Sequence, residues 1–162
     1  IPETHYLSCH DILKSYESIL QGVINGFKHM GISAEFAPIN DIIVNGKKIS
    51  GNAQTRKYGC ILQHGTILIS VDPDTMFELL KVPNEKLKGK LIENVKQRVT
   101  SVTSMLGQQP SFEAVQNSFI EGFADLIREP LIHESLTAEE QNRAQALAET
   151  KFADTSWNYK RR

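Results

Sequence analysis

From Ile12 to Met30 the apolar residues return every three or four positions. Ile12, Leu13, Tyr16, Ile19, Leu20, Val23, Ile24, Phe27 and Met30 line one side of a helix of about five turns. A stripe of that width has to be covered by other elements, so this helix sets the frame of the fold. Asp11 or Ser8 suits its N-cap, and Gly31 suits the position just past its end. Lys14, Ser15, Glu17, Gln21 and Lys28 fill the opposite face. Gly22 and Gly26 each weaken the helix by about 1 kcal/mol relative to alanine, and they fit a close approach by a neighbour.

The chain changes character after Ser33. Phe36, Ile39, Ile42, Ile43 and Val44 are strand formers. Asn45-Gly46 is a hairpin turn signal, because both residues tolerate positive φ. A polar stretch follows from Lys48 to Arg56, and Gly59–Asp72 reads as a long strand. Asp72-Pro73 reads as a helix cap with proline at the first helical position. A short helix continues through Leu80, and Val82-Pro83-Asn84 breaks it. Residues 84–104 are amphipathic and basic, and their β-branched end, Val99–Val102, reads as a short strand. Ser111 opens another helix carrying Phe112, Val115, Phe119, Phe123, Leu126 and Ile127. Leu131–Ser135 reads as extended, and Thr137-Ala138-Glu139-Glu140 is a capping box opening a last helix to about Phe152. No repeat, low-complexity segment or long linker divides the chain, so 162 residues are expected to form one α+β domain.

Composition narrows the function. Eighteen Lys and Arg stand against 19 Asp and Glu, for a net charge of −1. Generic binding to a nucleic-acid backbone needs a basic excess, so nucleic acid is not an expected partner. No apolar run approaches the roughly 18 residues of a membrane span, and no secretory signal opens the chain. Cys9 and Cys60 form no zinc or CxxC pattern; a single disulfide between them is one reading, and free thiols in a reducing cytoplasm are the expected one. Cys60, in an apolar strand, is expected to be buried and inert. The five histidines show no HxxxH or HExxH spacing, and there is no Walker A loop, GxGxxG or GxSxG motif.

Functional groups concentrate between Asn40 and Asp72. A hairpin that could be apolar instead carries Asn40-Asp41, Lys47-Lys48, Ser50-Gly51-Asn52, Gln54, Arg56 and Gln63-His64-Gly65-Thr66. Glycine in a strand lets a ligand or another backbone approach. A lysine, amides and open backbone N–H groups suit a phosphate or carboxylate. A solvated hairpin face accounts for the same residues equally well. The basic run from Lys81 to Arg98 reads as a solvated helix face that could meet an acidic partner.

Residues 34–72, AEFAPINDIIVNGKKISGNAQTRKYGCILQHGTILISVD, resemble the lipoate–protein ligase A and lipoyl/octanoyl transferase family. So do LKVPNEKLKGK at 80–90 and LAETKFADTSWNYKRR at 147–162. The resemblance implies an α+β fold akin to biotin protein ligases and class II aminoacyl-tRNA synthetases, a mixed or antiparallel sheet flanked by helices. It also implies that the chain, starting at Ile1, is the downstream part of a catalytic domain. The upstream glycine-rich segment with its Arg-Arg pair would then be supplied in cis or by a second chain.

The activity implied first is ATP-dependent ligation. Lipoate is activated to lipoyl-AMP and passed to a lysine of a lipoyl-domain protein, such as the 2-oxoacid dehydrogenase acyltransferase subunit or the glycine cleavage H protein. By resemblance Lys48 is the catalytic lysine, offsetting charge on carboxylate, α-phosphate and oxyanion. Asn40 and Asp41 match the pair near the adenylate, with Asp41 holding Mg²⁺ or orienting Lys48. Ser50, Gly51 and Ala53 would line the same strand, and Gly65 and Thr66 would face the acyl group or nucleotide. The alternatives are transfer of octanoyl or lipoyl between carriers through a cysteine thioester, or non-catalytic docking of a lipoyl domain. Neither 32–47 nor 79–90, where the family's transferases keep their cysteine, contains one. That places ligation ahead of transfer on motif alone. A cytoplasmic location is expected.

Overall fold

The computed structural model describes residues 1–79 and 85–160, the side chains of 85–88 excepted. Chain packing separates two compact units, Ile1–Leu131 and Ile132–Arg162. The first contains helix α1 (Ile12–His29), strands β1 (Glu35–Ala37), β2 (Asp41–Val44), β3 (Lys47–Lys57) and β4 (Cys60–Ile67), and helices α2 (Pro73–Leu79), α3 (Glu85–Arg98), α4 (Val102–Leu106) and α5 (Phe112–Ile127). The strands form one antiparallel sheet in the order β1-β2-β3-β4. This is the α+β arrangement expected, a sheet flanked by helices.

Helix α1 begins where its cap predicts, with the Lys14 N–H donating to Asp11 Oδ1 at 3.0 Å. Gly31 follows its end at φ +76°. The apolar stripe packs on the sheet: Tyr16, Leu20, Val23 and Phe27 share one buried cluster with Ile42, Val44, Ile49 and Val102. Each such side chain, fully buried, contributes about 1.5–3 kcal/mol. The two α1 glycines face α5. A Cβ on Gly22 would lie 2.5 Å from the Phe123 ring, and one on Gly26 would lie 2.3 Å from the Phe119 ring. Gly122 of α5 is tighter still, because its Cβ would meet the Gly26 backbone nitrogen at 2.2 Å. Bare backbone on both helices lets Phe119 reach Phe27 edge-to-face, with centroids 5.2 Å apart.

The Asn45-Gly46 turn forms with φ of 51° and 74°. A second turn of the same kind, Tyr58-Gly59 at 57° and 70°, was not legible as a hairpin. The stretch read as merely polar, Lys48 to Arg56, lies within β3, the longest strand. It holds its strand because both edges pair and its inward polar groups satisfy one another. Gln54 Nε2 donates to Gln63 Oε1 at 2.8 Å, and Arg56 Nη2 donates to Ser15 Oγ at 2.8 Å and to the Cys9 carbonyl at 2.9 Å. The strand expected to run to Asp72 ends at Ile67.

Asp72 caps α2 as expected, accepting from the Asp74 N–H at 3.0 Å. Leu80 and the Val82-Pro83-Asn84 break lie outside the described residues. The strand expected at Val99–Val102 is not formed. Val99 makes one isolated bridge to Lys48, and Val102 begins α4, capped by Ser101. Cys60 is exposed rather than buried, since it opens β4 beside the Tyr58-Gly59 turn; both cysteines are free thiols. Among the described residues, no helix is long and apolar enough to cross a membrane.

The second unit contains α6 (Ala138–Leu147), a π-helical turn at Ala148–Phe152 and α7 (Thr155–Asn158). Leu131–Ser135 has no regular structure. The capping box at Thr137 is complete: its N–H donates to Glu140 Oε2 at 2.8 Å and the Glu140 N–H donates to Thr137 Oγ1 at 3.2 Å. The Thr137 backbone N–H, then its hydroxyl, holds the Glu140 carboxyl below its ordinary pKa.

Two outcomes follow from this packing. Gly122→Ala should destabilise the first unit by about 1–3 kcal/mol in urea unfolding, whereas Gly89→Ala, with nothing within 4 Å of the added carbon, should stabilise by about 0.5–1 kcal/mol. Equal effects at the two sites would rule out the helix-contact account. A carboxylate with a lowered folded pKa stabilises above its unfolded pKa and loses that contribution as pH falls through the lowered value. The Thr137 amide resonance should therefore titrate with a midpoint below that of an unfolded glutamate, and in Glu140→Ala that titration should vanish.

Candidate active site

The described residues place the expected site residues on two faces of the sheet. Strand register sorts them. Ser50 and Asn52 are buried on the face that packs against α1, and Gly65 pairs with Asn52 there. Asp41 pairs with Gly51, Gly51 with Thr66, and Ala53 with His64, so these residues share the opposite face. Lys48 joins them through an irregularity. The β2–β3 register shifts between Ile42 and Ile43, whose partners are Ser50 and Lys48, leaving Ile49 as an extra residue. A β-bulge of this kind inverts the alternation past it.

The result is an ion pair laid across a glycine. Lys48 Nζ stands 2.6 Å from Asp41 Oδ1. A Cβ on Gly51 would lie 2.8 Å from both Lys48 Cε and Nζ, so the side chain crosses the strand in the space glycine leaves open. Asp41 Oδ1 is buried and finds no well-aligned hydrogen-bond donor; the ammonium is its compensation. The two side chains are 42% and 31% exposed. A partly exposed pair contributes about 0–1 kcal/mol, so its main effect is to fix where the ammonium sits.

Backbone holds the pair from below. The Thr100 N–H donates to the Lys48 carbonyl at 2.9 Å. Asn40 and Asn52 bind each other three times: the Asn40 side-chain amide donates to the Asn52 carbonyl, and both the Asn52 side-chain amide and its backbone N–H donate to the Asn40 carbonyl. The Asn52 amide also donates to Ser50 Oγ at 3.1 Å. Asn40 and Ser50 thus brace the strands from the inner side. Gly65 gives room to Asn52, whose Oδ1 would be 2.0 Å from a Cβ there.

Two cavities flank the sheet. One, of about 580 Å³, lies between β2–β3 and α3, lined by Asp41, Lys48, Ile43, Val95, Asn94 and Arg98 among others. The other, of about 490 Å³, is apolar and lies at β4, with Ile19, Leu20, Val23, Ile61, Phe119 and Phe123 in its wall and Asn52, His64 and Gly65 at its polar side. Motif reading singled out neither Asn94 nor Arg98. Their spacing of four on an amphipathic helix, in phase with Leu91 and Val95, was the available signal.

The family model described as the lipoyl protein ligase A/B catalytic domain matches residues 2–124. The chain belongs to this family. It is 30% identical over 184 aligned positions to the octanoyltransferase LipM of Geobacillus kaustophilus, an alignment covering 99% of this chain and 66% of that relative. Its fold is similar to a bi-partite lipoate protein ligase from Thermoplasma acidophilum, at a TM-score of 0.81 and 28% identity over 93% of this chain and 59% of that one. It is also similar to a lipoate-protein ligase A bound with ATP, at a TM-score of 0.73 and 26% identity over 91% of this chain and 59% of that one. The chain therefore spans just under two thirds of the length of this curated relative.

The thioester route implied by the resemblance would place a thiol beside Lys48. Cys60 pairs with Lys57 at the end of the β3–β4 ladder far from Ser50↔Ile67, about 23 Å along the strand at 3.3 Å per residue. Cys9 lies at that same far end, its carbonyl bound by Arg56. Neither thiol shares the Lys48 pocket.

Gly51→Ala should displace the ammonium while leaving the sheet intact. In a crystal structure of the variant the Lys48–Asp41 separation should exceed 4 Å, with the melting temperature lowered by only a few degrees. An unmoved ammonium would refute the glycine's assigned part.

Proposed function

We propose that the chain takes part in attaching a medium-length acyl group, octanoyl or lipoyl, to a lysine of a lipoyl-domain carrier, and that the donor is an acyl group held by another carrier. The observation that carries this is the Lys48–Asp41 pair fixed over Gly51 at a pocket wall. An amine that attacks an acyl carbonyl forms a tetrahedral oxyanion. Its collapse breaks the bond to the leaving group, and the nitrogen gives up a proton as the amide forms. A lysine ammonium held in a partly apolar pocket stabilises that oxyanion without itself attacking. Asp41 holds it in place before the substrate arrives. The apolar cavity at β4, with Gly65 at its polar side, suits the acyl chain.

The motifs taken alone favour ATP-dependent ligation. The curated relative, named an octanoyltransferase, moves carrier-to-carrier transfer ahead of it. Ligation stays as a second reading because of one observation, the distance of both thiols from Lys48. In that reading ATP is the co-substrate and lipoate the acid. Asp41, the one carboxylate among the described pocket residues, would hold Mg²⁺ together with nucleotide oxygens. The metal would neutralise phosphate charge there.

The test mixes the protein with a lipoyl domain and either an octanoyl carrier thioester or octanoate and ATP, and reads the mass of the lipoyl domain. Modification from the thioester without ATP is expected. Lys48→Ala should lower it by about 10²–10³-fold with folding retained, and Cys60→Ser should leave it unchanged. Modification requiring ATP would favour ligation, and loss with Cys60→Ser would restore the thioester route.

A further inference from the structure

The Lys48 cavity holds a second cation that the motif reading leaves without a part. Among the described residues lining it, Lys48 and Arg98 are positive and Asp41 is negative. Asp41 is already committed to Lys48 at 2.6 Å. Arg98 has no ion pair or hydrogen bond from its side chain among the described residues. Its neighbour on α3 contrasts with it: Lys96 is tied to Asp74 at 2.9 Å, and the Lys96 carbonyl accepts from Lys47 Nζ at 3.1 Å. The cavity thus keeps one unmatched positive charge, on a guanidinium.

That guanidinium is anchored at its base. Val99, the next residue, bridges to Lys48 in parallel, and the Thr100 N–H donates to the Lys48 carbonyl at 2.9 Å. Its position relative to the catalytic strand is set by backbone bonds. Asn94, one turn earlier, lines the same cavity with an amide. A planar fork of N–H donors beside an amide, over apolar walls of Ile43 and Val95, suits bidentate binding of a phosphate.

We propose that Arg98, supported by Asn94, binds the phosphate group carried by the acyl donor and so selects phosphorylated donors over the free acyl compound. This rests on the acyl-transfer reading for its donor. Two sources share the chemistry: the phosphate of a phosphopantetheine thioester and the phosphate of an acyl adenylate.

The experiment measures binding to the full chain by calorimetry. The probes are octanoyl-phosphopantetheine against octanoyl-pantetheine, and octanoyl-AMP against octanoyl-adenosine. Wild-type protein should favour the phosphorylated member of at least one pair. Arg98→Ala should weaken that member by about tenfold or more and the phosphate-free member by less than twofold. Arg98→Lys should fall between, keeping charge and losing the fork. Dependence confined to the first pair identifies the carrier arm as the source, and to the second pair the nucleotide. Equal loss for both members of each pair, or no loss in Arg98→Ala, overturns the proposal. If Arg98-dependent phosphate binding persists while no acyl group reaches a lipoyl domain from either donor, the phosphate site stands and the acyl-transfer reading fails.

Discussion

A β-strand alternates its side chains, so Lys48 and Gly51, three residues apart, would ordinarily look in opposite directions. The extra residue at Ile49 reverses that parity. With it, Ile49 and Ser50 both enter the core, each fully buried, and Lys48 turns to the face of Asp41 and Gly51. Without it, the ammonium would point into the apolar cluster beneath α1, where an unpaired charge is untenable. The bulge therefore serves the core and the site at once. It gives the core an isoleucine and gives the site its cation.

Much of the fold was legible because its signals are local. The α1 stripe, the Asp11 cap, the Asn45-Gly46 turn, the Asp72-Pro73 start and the Thr137 box each lie within a few residues, and each folds as its chemistry dictates. What could not be read depends on distant partners. β3 is polar by composition and a strand only because β2 and β4 pair with both its edges. Val99–Val102 is rich in β-branched residues, yet it sits where a helix must start, so it makes one bridge to Lys48 and single backbone hydrogen bonds rather than a ladder. The crowding of Gly22, Gly26 and Gly122 is visible only when the two helices are brought together.

The site was legible as a list and not as a geometry. Lys48, Asp41 and Gly51 converge. Ala53 and Thr66 share their face. Asn40, Ser50 and Gly65 are tied to the opposite side, where they brace Asn52. No sequence pattern separates these groups, because the bulge that sorts them leaves only a one-residue mark. Arg98 escaped for another reason: it stood in a basic run whose members look alike until Lys96 is seen to be engaged and Arg98 is not.

The junction after α3 is sewn to the sheet by main chain. Besides Thr100, the Val102 and Thr103 N–H groups donate to the Leu68 and Ile69 carbonyls at 2.8 and 2.9 Å. Such stitching does not depend on side-chain identity, so it survives sequence drift. It also makes residue 99 a fulcrum. Any tilt of α3 grows with distance from that point, and Leu91, about 12 Å along the axis at 1.5 Å per residue, travels furthest among the cavity-lining residues. A tilt of α3 would thus change the cavity most at its apolar lip and least between the root of the Arg98 side chain and β3.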